Sequence, residues 1–276
     1  MSLNLKPLRS LLRAAVHACG WELYRRPVQM NGLWAHLQSL FQQQQIDCVL
    51  DVGGHHGEYA SELRSYGYKG RIISFEPCPE SFRVLSANCA ADPLWSCHGV
   101  ALGARDGELP FHVMSDTRFS SFLQPTESAL EWSENGCHIE RTEIVPVRRL
   151  DQILADAGLP ASTRYYLKID TQGAERDVIA GATSALNSIV ALQAEVPVRP
   201  LYQGVTTYAD FIAEMGYCGY DLTGLYPAAQ EDDLRVIEFD CVMLRHEKAP
   251  TGSVLAETIK RWPTPLIRSQ SESAGS

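Results

Sequence analysis

The 276-residue chain carries 24 Lys and Arg against 33 Asp and Glu, a formal net charge of −9. That balance argues against a nucleic-acid substrate gripped mainly through its phosphates. With 45% apolar and 21% charged residues, the composition is that of a globular chain able to bury one sizeable core, so one α/β domain with extensions fits better than two full domains.

The first predicted element is a helix over residues 4–19, where Leu8, Leu11, Leu12, Ala15 and Val16 recur at helical spacing. Arg9 and Arg13 interrupt the run, so it lacks a signal peptide's apolar core, and no stretch of the chain reaches transmembrane length. Lys6, Arg9, Arg13, Arg25 and Arg26 make this region a candidate for peripheral membrane contact, but packing on the domain or in a homodimer is the preferred reading. A second helix is expected over 32–44.

From Asp47 onward strands and helices alternate. Strands are expected at 48–50, 71–75, up to 102, 109–114, 143–149, 165–170, 188–196, 219–222 and 236–244. Helices are expected near 57–66, 80–90, 174–184 and 208–215. Such alternation implies βαβ units and a mainly parallel sheet. The segment of about 28 residues between the strands at 109–114 and 143–149 has little periodicity; it holds Arg118, Ser120, Ser121, Phe122, Trp132 and His138 and reads as a substrate-side lid. The Ser-rich end from about 265 reads as a tail. Residues 1–45 thus form a helical extension, 46–250 the main domain and 251–276 a C-terminal tail. Cys19, Cys48, Cys78, Cys89, Cys97, Cys137, Cys218 and Cys241 include no Cys-x-x-Cys pair, which argues against zinc or a disulfide framework and suits reduced thiols in a cytoplasmic protein.

Three segments carry chemistry. In Val49-Leu50-Asp51-Val52-Gly53-Gly54-His55-His56-Gly57 a strand enters a turn that opens on an acid and carries three glycines. Asp-x-Gly-x-x-x-Gly differs from the Gly-x-Gly-x-x-Gly of dinucleotide sites: Asp51 would repel a pyrophosphate and welcome a cationic sulfonium ligand. In Ile72-Ile73-Ser74-Phe75-Glu76-Pro77 a second strand ends in an acid placed to accept hydrogen bonds from ribose hydroxyls. In Leu167-Lys168-Ile169-Asp170-Thr171-Gln172-Gly173-Ala174-Glu175, strand alternation puts Lys168 and Asp170 on one face, with Asp170 and Glu175 the nearest candidate partners for the lysine. Glu175 also suits a helix first turn. Glu195, near the end of the next strand, would lie beside Asp170. The two carboxylates could orient a hydroxyl, act as general base or hold a divalent cation such as Mg²⁺, and an ion pair with Lys168 is the alternative.

Together with "VALGARDGELPF", "RLDQIL", "LQAEV", "PLYQG" and "FDCVMLR", these segments run in order from about 46 to 245, and the chain resembles the FkbM-type methyltransferases. The resemblance implies a Rossmann-like class I methyltransferase sheet, mainly parallel with an antiparallel C-terminal strand. It implies S-adenosylmethionine as cofactor and a hydroxyl of a sugar, glycan or natural product as methyl acceptor. By it, Asp51, Gly53, Gly54, Gly57, Glu76, Pro77, Val100, Ala101 and Asp170 would face the cofactor. Ser120, Ser121, Gln172, Glu175 and Tyr202 would face the substrate. Asp170 is the leading base, with Glu195, His55 and Lys168 as further catalytic candidates. His55 and His56 depart from the family, which has Asn and an aliphatic residue there. Two rival readings are an NAD-dependent oxidoreductase, disfavoured by the order of the glycine turn, and a non-catalytic S-adenosylmethionine-binding protein.

Overall fold

The computed structural model describes residues 32–127 and 138–262. The helix expected over 4–19, Trp132 and the segment from about 265 lie outside the described residues.

In chain order the first elements are α1 (Leu33–Gln44), β1 (Cys48–Val52), α2 (Glu58–Ser65), β2 (Arg71–Phe75), α3 (Pro79–Cys89) and β3 (Trp95–His98). Next come β4 (Ala101–Leu102), β5 (Gly107–Met114), β6 (Ile139–Arg148), α4 (Leu150–Asp156), β7 (Tyr165–Ile169) and α5 (Glu175–Ala180). The chain continues through β8 (Ile189–Pro197), α6 (Tyr208–Tyr217), β9 (Tyr220–Gln230), β10 (Val236–Arg245) and α7 (Gly252–Lys260).

Seven strands form one sheet in the order β3-β2-β1-β7-β8-β10-β9. The first five run parallel, while β10 is antiparallel to both β8 and β9. This is the expected Rossmann-like methyltransferase sheet with its antiparallel strand near the C-terminus. β1 and β7 are buried along their whole length, as central parallel strands covered on both faces must be. The period-2 alternation of strands splits their side chains between two cores. Leu50, Val52, Leu167 and Ile169 join a cluster that contains Val178, Phe211, Met215 and Leu255 from α5, α6 and α7. Val49, Ile72 and Tyr166 join Leu37, Leu40, Ala60, Leu63 and Leu85 from α1, α2 and α3 on the opposite face. The result is a sheet between two helical layers. The chain turns outward from β1 to β2 and β3, then returns to lay β7 and β8 on the other side of β1. That reversal opens a crevice at the carboxyl ends of β1 and β7, where open α/β sheets bind ligands.

Several expectations need correction. The strand expected to end at Leu102 divides into β3, at the sheet edge, and β4, which belongs to a separate three-stranded sheet ordered β4-β6-β5. The strands expected at 109–114 and 143–149 are therefore not part of the main sheet; they are the antiparallel pair β5 and β6, which presents Phe111 to the crevice. The helix α4 follows from Leu150, Ile153 and Leu154 at helical spacing, in a stretch too short to stand out from one sequence. The strand expected at 219–222 runs on to Gln230 because β10 pairs with it throughout. The boundary drawn at 251 for a tail falls before α7, whose Leu255 and Ile259 are buried in the core.

Candidate functional site

The crevice is a cavity of about 640 Å³ lined by the carboxyl ends of β1, β2, β7 and β8, by β10 and parts of β4, β5 and β9, by α1 and α2, and by the loop after β5. β1 delivers the glycine turn to it. Gly53 sits at φ +78°, and a Cβ there would lie 1.7 Å from the Asp170 backbone oxygen, so only glycine lets the chain leaving β1 pass this close to the end of β7. Gly57, at φ +92°, has a different reason: a Cβ would strike the Trp95 ring at 2.5 Å. It is a packing glycine under the turn and does not line the cavity, contrary to the cofactor role expected for it.

Asp51 does not reach the cavity wall either. Its carboxylate is fully buried, with Oδ2 accepting a 2.9 Å hydrogen bond from Ser74 Oγ and Oδ1 3.5 Å from Lys168 Nζ. Ser74, Asp51 and Lys168 are register partners across β2, β1 and β7, so they share one face of the sheet. Lys168 Nζ also donates to Asp170 Oδ2 at 3.4 Å and to the Gly53 carbonyl at 3.2 Å. Its ion-pair partners are thus Asp51 and Asp170, and the expected contact with Glu175 is replaced by Asp51. Burial works against the lysine's charge, but Asp170 and Asp51 outweigh it and raise its pKa.

Glu175 is buried and faces back into its own turn. Its Oε1 accepts from the Thr171 and Gly173 amides and the Thr171 hydroxyl, at 2.9–3.2 Å, which folds the chain between β7 and α5. That turn holds Gln172 at φ +54°, an uncommon conformation for a side chain other than glycine. The strain aims its amide inward: Nε2 donates to Asp170 Oδ1 at 2.9 Å and to Glu195 Oε1 at 3.0 Å. Ser121 Oγ donates to the Gln172 carbonyl at 2.7 Å, and the Tyr202 hydroxyl lies 3.0 Å from Gln172 Oε1. Ser121, Tyr202 and Glu175, expected to face a substrate, therefore stand one layer behind Gln172, while Ser120 and Gln172 line the cavity.

Opposite this floor, Glu76 ends β2 buried at the cavity wall, its oxygens accepting from the His55 amide at 2.9 Å and the Cys78 amide at 2.8 Å. Burial pushes its pKa up to about 7 in spite of those two bonds. Pro77, Val100, Ala101, Phe75, Phe111 and Phe122 give that end an apolar wall. His55 lines the cavity, with Nδ1 3.2 Å from Glu58 Oε1 and Nε2 2.8 Å from Thr117 Oγ1. Its pKa is lowered by burial, against the pull of Glu58.

Sequence reasoning missed Glu238 and Asp240, which alternate onto the cavity side of β10 and line the same floor. The signal was present: two acids inside the apolar Val236-Ile237-Glu238-Phe239-Asp240-Cys241-Val242 pose the same burial problem as Lys168. Asp240 pairs in register with Glu195. Its Oδ1 accepts from Gln193 Nε2 at 2.7 Å, while the Tyr59 and Tyr166 hydroxyls donate to Gln193 Oε1 at 2.9 Å each. Burial, then repulsion from Asp170, Glu238 and Asp240, raises the Glu195 pKa well above the usual carboxylate range. Burial likewise raises Asp240 and pushes Glu238 up to about 7.

These shifts predict a pH effect on stability. Glu76 titrates from an ordinary value of 4.5 when unfolded and about 7 when folded. Between those values the folded state binds more protons, so the stability carried by the protonated acid is lost as pH rises through 7. Glu76→Gln, which carries no titrating proton, is expected to melt above the wild type at about pH 8 and to lose that advantage towards about pH 5.5. Comparing the two melting curves cancels the buried histidines, whose lowered pKa values pull the other way. A difference that does not change with pH would show that Glu76 is not held as described.

Residues 51–222 match the Methyltransferase FkbM domain family. The chain is 25% identical over 193 residues to the 2-O-methyltransferase NoeI of Sinorhizobium fredii, an alignment covering 67% of this chain and 77% of that protein. Among solved structures, a methyltransferase FkbM from Methylobacillus flagellatus KT is 16% identical with a TM-score of 0.44; it covers 72% of this chain, which spans 43% of that protein's length. Aeropyrum pernix fibrillarin, solved with natively bound S-adenosyl-L-methionine, is 12% identical with a TM-score of 0.42, over 72% of this chain and 66% of that one. The family match begins at the acid that opens the glycine turn, takes in the parallel strands from the end of β1 through β8 and spans more than half of the residues. The chain belongs to the FkbM methyltransferase family.

Proposed function

We propose that the protein is an S-adenosylmethionine-dependent O-methyltransferase acting on a hydroxyl of a sugar, glycan or natural product. The observation that carries this reading is one cavity with an acid at the end of β2 and, across it, a lysine-held carboxylate beside three further acids. The 2-O-methyltransferase relative supports oxygen as the atom methylated. Residues 46–250 form the catalytic domain in this reading, with α7 packed onto it.

The cavity suits the cofactor. Glu76, fixed by two backbone amides, keeps lone pairs for ribose hydroxyls, and the wall of Val100, Ala101, Phe111 and Phe122 suits a purine. Gly53 and Gly54 present backbone without a side chain at the methionine end, and the carboxylates of the floor favour a sulfonium. When bound, S-adenosylmethionine supplies an electrophilic methyl group.

An alcohol is a weak nucleophile at neutral pH, so a proton acceptor is required as the new O–C bond forms. Asp170 takes that role. Lys168 pairs with one of its oxygens, Gln172 fixes the other, and it lines the cavity half-buried. Glu195, whose pKa burial and the neighbouring acids raise, orients the acceptor through hydrogen bonds, with Glu238 and Asp240 reading neighbouring hydroxyls. Lys168 and the Gln172 amide already satisfy Asp170 and Glu195, a donor set that competes with a hard divalent cation, so no step here calls on Mg²⁺. His55, whose ring nitrogens face Glu58 and Thr117 at the cavity rim, is not the base in this reading.

Calorimetric titration tests the cofactor. S-adenosylmethionine and S-adenosylhomocysteine are expected to bind the wild type, and Glu76→Ala is expected to abolish both heats. Binding of NAD in their place would return the chain to an oxidoreductase reading.

A further inference from the structure

The two histidines of the glycine turn take no part in the chemistry above, yet both their backbone and their rings are held by neighbouring groups. The His55 amide donates to Glu76, and the His56 carbonyl accepts from Asn88 Nδ2 at 2.9 Å, so the backbone is fixed on both sides of the pair. The two imidazoles stack with ring centres 3.7 Å apart, closer than the roughly 5 Å that two rings on one tetrahedral ion require, so loading an ion turns the rings apart about their side-chain bonds. Their Nδ1 atoms converge on a single oxygen: Glu58 Oε1 lies 3.2 Å from His55 Nδ1 and 3.5 Å from His56 Nδ1. The other Glu58 oxygen accepts from the His56 amide at 3.1 Å, which locks the carboxylate in this direction.

We propose that His55, His56 and Glu58 form a binding site for a borderline divalent transition metal of the Zn²⁺ class. Zinc bonds of roughly 2.0–2.1 Å at tetrahedral angles place neighbouring ligand atoms about 3.3 Å apart. The two nitrogen–oxygen separations bracket that value, and all three ligand atoms lie within 4.8 Å of one another. Two imidazoles and one carboxylate leave a fourth position for water, and nitrogen donors select zinc, nickel or copper over magnesium. The support behind the ligands is also present. His55 Nε2 lies 2.8 Å from Thr117 Oγ1, so the ring N–H can donate there and leave Nδ1 with its lone pair turned to the metal. The site is half-exposed, so it loads from solvent. Two of its three ligands also line the cavity, so a bound ion would sit at the cavity mouth and tie the glycine turn to residues 117–119.

The test is direct metal binding by the full chain after dialysis against chelator, independent of any methyl transfer. Calorimetry with ZnCl₂ is expected to show one ion per chain, and CoCl₂ to give the visible absorption of a tetrahedral nitrogen–oxygen site. His56→Ala lies outside the cavity lining; since loss of an outer partner already costs roughly 10–100-fold, it is expected to weaken binding by more than about tenfold. Glu58→Gln, with its shape conserved, is expected to act in the same direction, and unchanged melting curves confirm that both variants fold. Zinc heats equal in wild type and His56→Ala, a cobalt–thiolate band from the cysteines, or no heat at all would each overturn the proposal.

Discussion

Asp170→Asn is expected to lower methyl transfer by about 10²–10⁴-fold while leaving S-adenosylmethionine affinity little changed. The substitution keeps the size of the side chain and its contact with Gln172, and removes the negative charge that accepts the proton. It should lower kcat and kcat/KM together, because the lost interaction is made only as the hydroxyl gives up its proton. Glu195→Gln is the internal comparison. Burial and the neighbouring acids raise the Glu195 pKa and fit it to orient the acceptor more than to take its proton, so its amide variant should raise KM more than it lowers kcat. Single-turnover rates with cofactor prebound separate these outcomes. Full activity in Asp170→Asn would remove Asp170 from the reaction and turn attention to Glu238, whose pKa near 7 would then appear as the ascending limb of the pH–rate profile.

The parts of the fold legible in the sequence are those where one local pattern had one solution. Arg71–Phe75 reads as a strand because its apolar run is bounded by Gly70 and by the acid that ends it. The long pairing of β9 with β10 was not legible, because Gly224 and Pro227 break the run from Leu222 to Gln230, which becomes a strand only when β10 lies beside it. The same limit hid the second sheet: β4 is two residues long and is defined by its register partners in β6, Val147 and Arg148. At the site, motif order brought together Gly53, Glu76, Asp170 and Glu195 around one cavity. It could not tell which side chains face that cavity and which stand behind it. Glu175, Ser121 and Tyr202 sit beside substrate-facing positions in the chain, yet each spends its hydrogen bonds on holding the Gln172 turn. Gly57 reads like its neighbouring glycines and owes its place to a tryptophan across the sheet edge.

Lys168 carries the largest structural consequence. Its ammonium lies between Asp51, which has no exposure to water, and Asp170, which faces the cavity. Asp51 Oδ1 has no hydrogen-bond donor of its own and depends on that ammonium for compensation. Lys168→Met therefore leaves an uncompensated buried carboxylate, with an expected loss of about 3–5 kcal/mol. For a domain of this size that is a fall in melting temperature of roughly 6–20 °C. Adding Asp51→Asn to Lys168→Met should recover much of the loss, since the amide needs no counter-charge and can still accept from Ser74. A loss below about 1 kcal/mol, or a double variant no better than the sum of the singles, would show that the three charges are not coupled as described. The coupling has a consequence for turnover as well. The same ammonium that permits Asp51 to be buried also holds the Asp170 carboxylate in place, so any Lys168 variant that still folds should lower methyl transfer as well. Stability and catalysis meet at one side chain here because parallel register sets Asp51 and Lys168 opposite each other, and strand alternation sets Lys168 and Asp170 on one face.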